Sequence, residues 1–201
     1  MSAGTRYPAR TREEMPTEEE KAAHDYIKET LLYGVGEENK KVFLSPEDKL
    51  LGHFAAYTYS PAFGKAIFDV VRAFATLPLA PNVRETVILS TAGFYRARYP
   101  AYVHYPMAKS QTTLTEKQIE LLHQGEKPTD LTEEEAVAFD VVQASQVTRG
   151  PLSNELFDRS VRLLGKDTTL AVLHLSGFYA LISTLCNGCG AVLPYGETKV
   201  V

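Results

Sequence analysis

Between Asn82 and His104 the chain reads NVRETVILSTAGFYRARYPAYVH, and this run constrains the fold more than any other. Its first half places Val83, Val87, Ile88, Leu89, Thr91 and Phe94 in a pattern that suits a buried helix. Two ionisable groups interrupt it, Glu85 inside the apolar run and His104 nineteen positions later. A carboxylate in an apolar helix must be paired, neutralised or functional, because an isolated buried charge costs several kcal/mol. Pro100 predicts a helix break and restart, since proline is disfavoured in a helix interior and accepted in a first turn. Two helices folded about that break would bring Glu85 and His104 together as an acid/base pair in a cleft.

The rest of the chain predicts more helices. Thr17 with Glu20 forms a capping box, opening a helix through Ala22, Ile27 and Leu31 that stops by Gly34 or Gly36. Ser45-Pro46-Glu47-Asp48 is read as the next start, with Leu50, Leu51, Phe54 and Ala55 on the apolar face. Ser60-Pro61 begins another that ends near Leu77-Pro78. Thr115 to Gln118 opens a short helix stopped by Gly125, Asp130-Leu131-Thr132 caps the next, and Ser153 heads one closed by Gly165. The last, roughly Thr168 to Leu185, is apolar all round and reads as a core helix. With no sustained strand alternation and no internal repeat, the expected class is all-α.

At 201 residues the chain is expected to be a single domain over residues 17–201, preceded by a flexible, proline-punctuated arm over residues 1–16 that is loose or laid on a partner. The net charge is -4 and the 21 lysines and arginines are scattered, which argues against nucleic acid. The first twenty residues carry no apolar segment after their basic residues, so no secretory signal is read there. No apolar run is judged long enough to cross a membrane. The only cysteines, Cys186 and Cys189, form no disulfide framework and suit a cytoplasmic setting.

Each chemical motif has a plainer reading beside it. Glu85 could simply pair with Arg84 or Arg96, and His104 could be a satisfied core histidine. His24, His53, His123 and His174 lack metal-ligand spacing, so no metal is expected. Cys186-Asn187-Gly188-Cys189 is a Cys-x-x-Cys, but it follows the last helix, at the end of the dipole that does not lower a thiol pKa; small buried thiols are the expectation. Arg96 and Arg98 suit either solvent or a substrate carboxylate held in two-pronged fashion. Tyr102 is core filler or a hydroxyl donor.

Arg84-Glu85, Tyr99-Pro100-Ala101-Tyr102-Val103-His104 and Met107-Ala108 together resemble the central signature of the carboxymuconolactone decarboxylase family, within the alkylhydroperoxidase D-like superfamily. Tyr59-Ser60-Pro61, Leu114-Thr115-Glu116 with Ile119, Leu131-Thr132 with Glu135, and Gly177-Phe178-Tyr179 to Asn187 agree in order and spacing over roughly residues 45–196. The resemblance implies an oligomeric helical bundle, a homo-oligomer as trimer, hexamer or dimer. In peroxidase-type members a Cys-x-x-Cys precedes the histidine; the corresponding positions here are Ala97 and Pro100, so thiol peroxidase chemistry at this site is excluded.

What remains resembles the decarboxylase branch, which implies a cofactor-independent lyase acting on a lactone or β-keto carboxylic acid. Glu85 and His104 would transfer the proton, with Tyr102 stabilising an enolate oxygen. Arg96, Arg98, His174, Tyr179 and Asn187 would contact substrate. A cofactor-free cyclase or isomerase of polyketide-like metabolism, and a non-catalytic oligomeric binding protein, are the alternatives.

Overall fold

The computed structural model describes residues 5–33, 35–148 and 150–194. It is mostly helical, with no strand among the described residues beyond an isolated bridge between Leu44 and Leu50. The expected all-α class is therefore correct. The described residues gather into two compact units, one made of residues 5–76 with 185–194 and the other of residues 77–184.

The first unit contains α1 (Glu18–Leu32), α2 (Glu37–Lys40), α3 (His53–Thr58) and α4 (Pro61–Phe74). The capping box is present: Thr17 accepts from the Glu20 backbone N–H, and Glu20 accepts from the Thr17 N–H. Such a cap is worth about 1 kcal/mol. α1 buries Ala23, His24 and Ile27 and packs against α3 and α4. It ends at Leu32; of the two glycines expected to stop it, Gly34 lies outside the described residues. Residues 5–16 lie along this unit. The Tyr59 hydroxyl donates to the Pro8 carbonyl at 2.9 Å, Arg10 lies 3.8 Å above the Tyr59 ring, and Met15 is buried.

One expected helix start is wrong. Ser45 to Asp48 forms a turn, and α3 begins only at His53. The Ser45 hydroxyl accepts from the backbone N–H groups of Glu47 and Lys49, and Asp48 has a φ of 63°. These local bonds satisfy the backbone in a way that competes with a helix.

The second unit contains α5 (Pro81–Phe94), α6 (Arg98–Gln111), α7 (Glu116–Gln124), α8 (Glu133–Gln143), a π-helical turn over Ala144–Thr148, and α9 (Asn154–Leu164). α10 (Lys166–Cys189) supplies residues 166–184 here and residues 185–189 to the first unit. α5 is the central element, packed on α6, α7 and α8. Its Leu89 joins Ala108, Leu114, Ile119, Leu122 and Phe139 in one buried apolar cluster. Close approach of α5 and α7 depends on Gly93, where a Cβ would come within 2.5 Å of the Gly125 nitrogen and 2.6 Å of the Leu122 carbonyl oxygen. Gly125 itself ends α7 in the left-handed region, at φ 76°.

Two expectations about α10 need correction. It surfaces along part of its length, with Leu170 53% and Leu181 39% exposed, so it is not a core helix all round. With 24 residues it is also long and apolar enough, by length and composition, to cross a membrane; 44% of its most apolar window is buried within the fold. Scattered His, Ser, Thr and Tyr residues hide that length when the eye looks for an unbroken apolar run.

Candidate active site

α5 ends at Phe94, the chain turns through Tyr95, Arg96 and Ala97, and α6 starts at Arg98 with Pro100 in its first turn. Arg96 makes the corner at φ 52°. The break and restart expected around Pro100 are therefore present. α6 also tolerates Pro106 in its interior, although proline can donate no backbone hydrogen bond there.

The corner brings Glu85 and His104 into contact. Glu85 is 1% exposed, and its Oε2 lies 2.9 Å from His104 Nδ1. Its other oxygen accepts from Arg84 Nε at 3.1 Å, and Arg84 Nη2 donates to Gln111 Oε1 at 2.7 Å. Of the two arginines considered as partners for the carboxylate, Arg84 fills the role. Burial by itself pushes the Glu85 carboxyl up. The charge and hydrogen bond of His104, joined by those of Arg84, outweigh burial and hold it below the usual carboxylate range. Of the neighbouring buried hydroxyls on α5, Ser90 donates to the Thr86 carbonyl and Thr91 to that of Val87, whereas the Thr86 hydroxyl has no hydrogen-bond partner among the described residues.

The far side of the imidazole belongs to α10. Tyr179 Oη sits 2.7 Å from His104 Nε2, and the two rings meet edge to face at 5.3 Å and 81°. His104 keeps 13% of its side chain exposed and Tyr179 is half-buried, so the chain of contacts runs from a sealed carboxylate toward solvent.

The remaining residues read as site components are distributed differently. Tyr102 is buried, its ring 6.1 Å from that of Tyr99. Arg96 and Arg98 face solvent at the corner between α5 and α6, and His174 is exposed on α10. Asn187 is an exposed residue of the first unit. Gln111 was not read as part of the site, though it lies seven positions after His104, two turns along the same helix face. The separation of 75 positions between His104 and Tyr179 carries no spacing signal for their contact.

No family model matches the chain, and no curated protein matches it either.

Cys186 and Cys189 are placed differently from expectation: they lie within the last turn of α10 rather than after it. Both are free and buried. Burial pushes both thiols up; the neighbouring Cys189 adds to this at Cys186, while Arg6 opposes it at Cys189. High thiol pKa values disfavour the thiolate that redox or metal chemistry requires. Among the described residues, no group of three or more His, Cys, Asp and Glu side chains is placed to hold a metal ion.

Chemically, the Glu85–His104–Tyr179 set can store, orient and deliver a proton. The carboxylate fixes the imidazole orientation, and the phenol extends the path outward.

Proposed function

We propose that this chain is a cofactor-independent acid/base enzyme, most simply a decarboxylase of a lactone or β-keto carboxylic acid. The observation that carries the reading is the 2.9 Å contact between a wholly buried, ionised Glu85 and a His104 that retains access to solvent. A pair kept only for packing has no need of that access. The resemblance of the Arg84-Glu85 to His104 stretch to the carboxymuconolactone decarboxylase family supports the same reading, and with it an alkylhydroperoxidase D-like bundle.

Loss of carbon dioxide breaks a carbon–carbon bond and leaves its electron pair in an enolate, whose carbon then takes a proton. Protonated His104 is the proton store, and solvent replaces what the product carries away. Glu85 holds Nδ1–H and offsets the imidazolium charge, as the carboxylate does in a serine hydrolase triad. Arg96 and Arg98, exposed at the α5–α6 corner, are assigned the substrate carboxylate on the chemistry of guanidinium, which matches its two oxygens. A homo-oligomer and a cytoplasmic setting belong to the same reading, the first resting on the resemblance and the second on two unpaired thiols.

The test is to offer purified protein a panel of lactone and β-keto carboxylic acids and follow product mass, with Glu85→Gln and His104→Ala alongside. The expected result is loss of carbon dioxide in wild type and a fall of about 10²-fold or more in both variants. A product of unchanged mass would instead support the cyclase or isomerase alternative. A folded His104→Ala protein with full activity would refute the pair as the reacting centre.

A further inference from the structure

The hydrogen bonds around His104 occupy both ring nitrogens. An ionised carboxylate only accepts, so Nδ1 must carry a hydrogen and donate it to Glu85 Oε2. Nε2 is then either a lone pair receiving the Tyr179 hydroxyl hydrogen or, in imidazolium, a donor to the Tyr179 oxygen. Both protonation states fit the same 2.7 Å contact. In either one, a substrate approaching His104 meets the phenol first, because Tyr179 covers the nitrogen that Glu85 leaves over.

The order hydroxyl, imidazole, carboxylate is that of an activated nucleophile or acid, with a phenol where a serine hydroxyl would stand. The Tyr179 ring makes edge-to-face contacts with both His104 and Phe178. An ordered phenol presents its oxygen in one place, which proton transfer requires.

We propose that Tyr179 Oη is the reacting atom of this site: a phenol activated by His104, which meets the substrate directly while His104 and Glu85 act through it. This rests on the acid/base reading above and names the group that completes it. In decarboxylation the enolate carbon takes the phenol hydrogen, the phenol oxygen takes the Nε2 hydrogen of imidazolium, and solvent restores one proton to His104. Toward an electrophile the direction reverses: the phenol oxygen forms the new bond and its hydrogen moves to neutral Nε2.

The reverse direction gives a test that needs no substrate. A benzenesulfonyl fluoride reacts with an activated phenol by forming an oxygen–sulfur bond and breaking the sulfur–fluorine bond. Fluoride leaves, and the phenol proton passes to His104. Tyr33, 89% exposed, is the internal reference for an unassisted tyrosine. Peptide mass mapping of a time course is expected to show Tyr179 labelled about ten-fold or more faster than Tyr33, general-base help being worth at least that much. The advantage should vanish in folded His104→Gln and Glu85→Gln proteins.

Labelling of Tyr33 ahead of Tyr179 in wild type would overturn the proposal whether or not a variant folds. So would an unchanged Tyr179 rate in His104→Gln. If the acid panel yields a turned-over substrate, Tyr179→Phe should lose about 10²-fold in kcat with little change in KM. Activity that survives Tyr179→Phe and is lost in His104→Ala would remove Tyr179 from the chemistry and leave the decarboxylase reading standing.

Discussion

Glu85 with His104 and Cys186 with Cys189 are each a pair of titratable side chains withdrawn wholly or largely from water, one pair in each compact unit. Around Glu85 the fold supplies compensation: Arg84 on one oxygen, His104 on the other, and Gln111 behind the arginine. The carboxylate stays ionised despite burial. Around the thiols it supplies almost none, since Arg6 acts on Cys189 while burial dominates at both. Tyr57, whose phenol is pushed up by burial and by these same two cysteines, has a buried hydroxyl with no hydrogen-bond partner among the described residues. Two motifs of comparable appearance in the sequence thus differ in whether the surroundings stabilise the charged form, and only one pair is prepared for ionic chemistry.

The contrast can be broken at its strongest point first. His104→Ala removes the partner of a buried charge, and urea unfolding should show a loss of about 3 kcal/mol, tempered by Arg84 remaining in place. A loss under about 0.5 kcal/mol would mean that the carboxylate does not depend on the imidazole.

Acid sharpens the same side. A carboxyl whose folded pKa lies below its unfolded value contributes stability that is complete above the unfolded value, about 4.3. That contribution fades as pH falls through the lowered folded value. The stability gap between wild type and Glu85→Gln should therefore be constant from about pH 5 upward, as far as this carboxyl alone is concerned, and shrink below about pH 4. A gap that widens toward low pH would contradict an ionised Glu85.

On the thiol side, iodoacetamide at neutral pH should leave Cys186 unmodified in the folded protein and alkylate it fully in denaturant, as mass spectrometry would read. Cys186→Ala should cost about 1 kcal/mol or slightly more, the loss of a small buried apolar group. Rapid alkylation in the native state would erase the difference between the pairs. The smallest effect is expected at Tyr57→Phe, where removing a hydroxyl that has no partner among the described residues should be neutral or stabilising by up to about 1 kcal/mol, measured by thermal unfolding.

These differences in environment also explain what could be read from the sequence. Helix starts that depend on a short-range cap were legible, because Thr17 with Glu20, Thr115 with Gln118 and Thr132 with Glu135 satisfy backbone N–H groups within four residues. Ser45 misled because its hydroxyl serves a turn in place of a helix, and nothing in Ser-Pro-Glu-Asp distinguishes the two uses. The contact of Glu85 with His104 was legible because a buried carboxylate demands a partner and Pro100 indicates where the chain doubles back. Tyr179 on His104 Nε2 was not, since no local rule connects positions so far apart. The surfacing of Leu170 and Leu181 was equally hidden, as an apolar residue looks the same in sequence whether or not something covers it.

The tight corner at Arg96 has a consequence for how the site is assembled. The carboxylate–imidazole contact closes a loop of 19 residues, whereas the imidazole–phenol contact closes one of 75. By chain entropy alone the longer closure is less favourable by about 1 kcal/mol. The α5–α6 hairpin thus carries two of the three groups on adjacent helices, and the phenol is a long-range addition delivered by α10. Amide exchange is expected to show α5 and α6 protected at least as strongly as the Tyr179 segment; the opposite order would mean that α10 supports the hairpin. A site built this way separates two tasks in the chain: the charged pair is inherited from one turn of backbone, and the atom facing outward can be exchanged without rebuilding it.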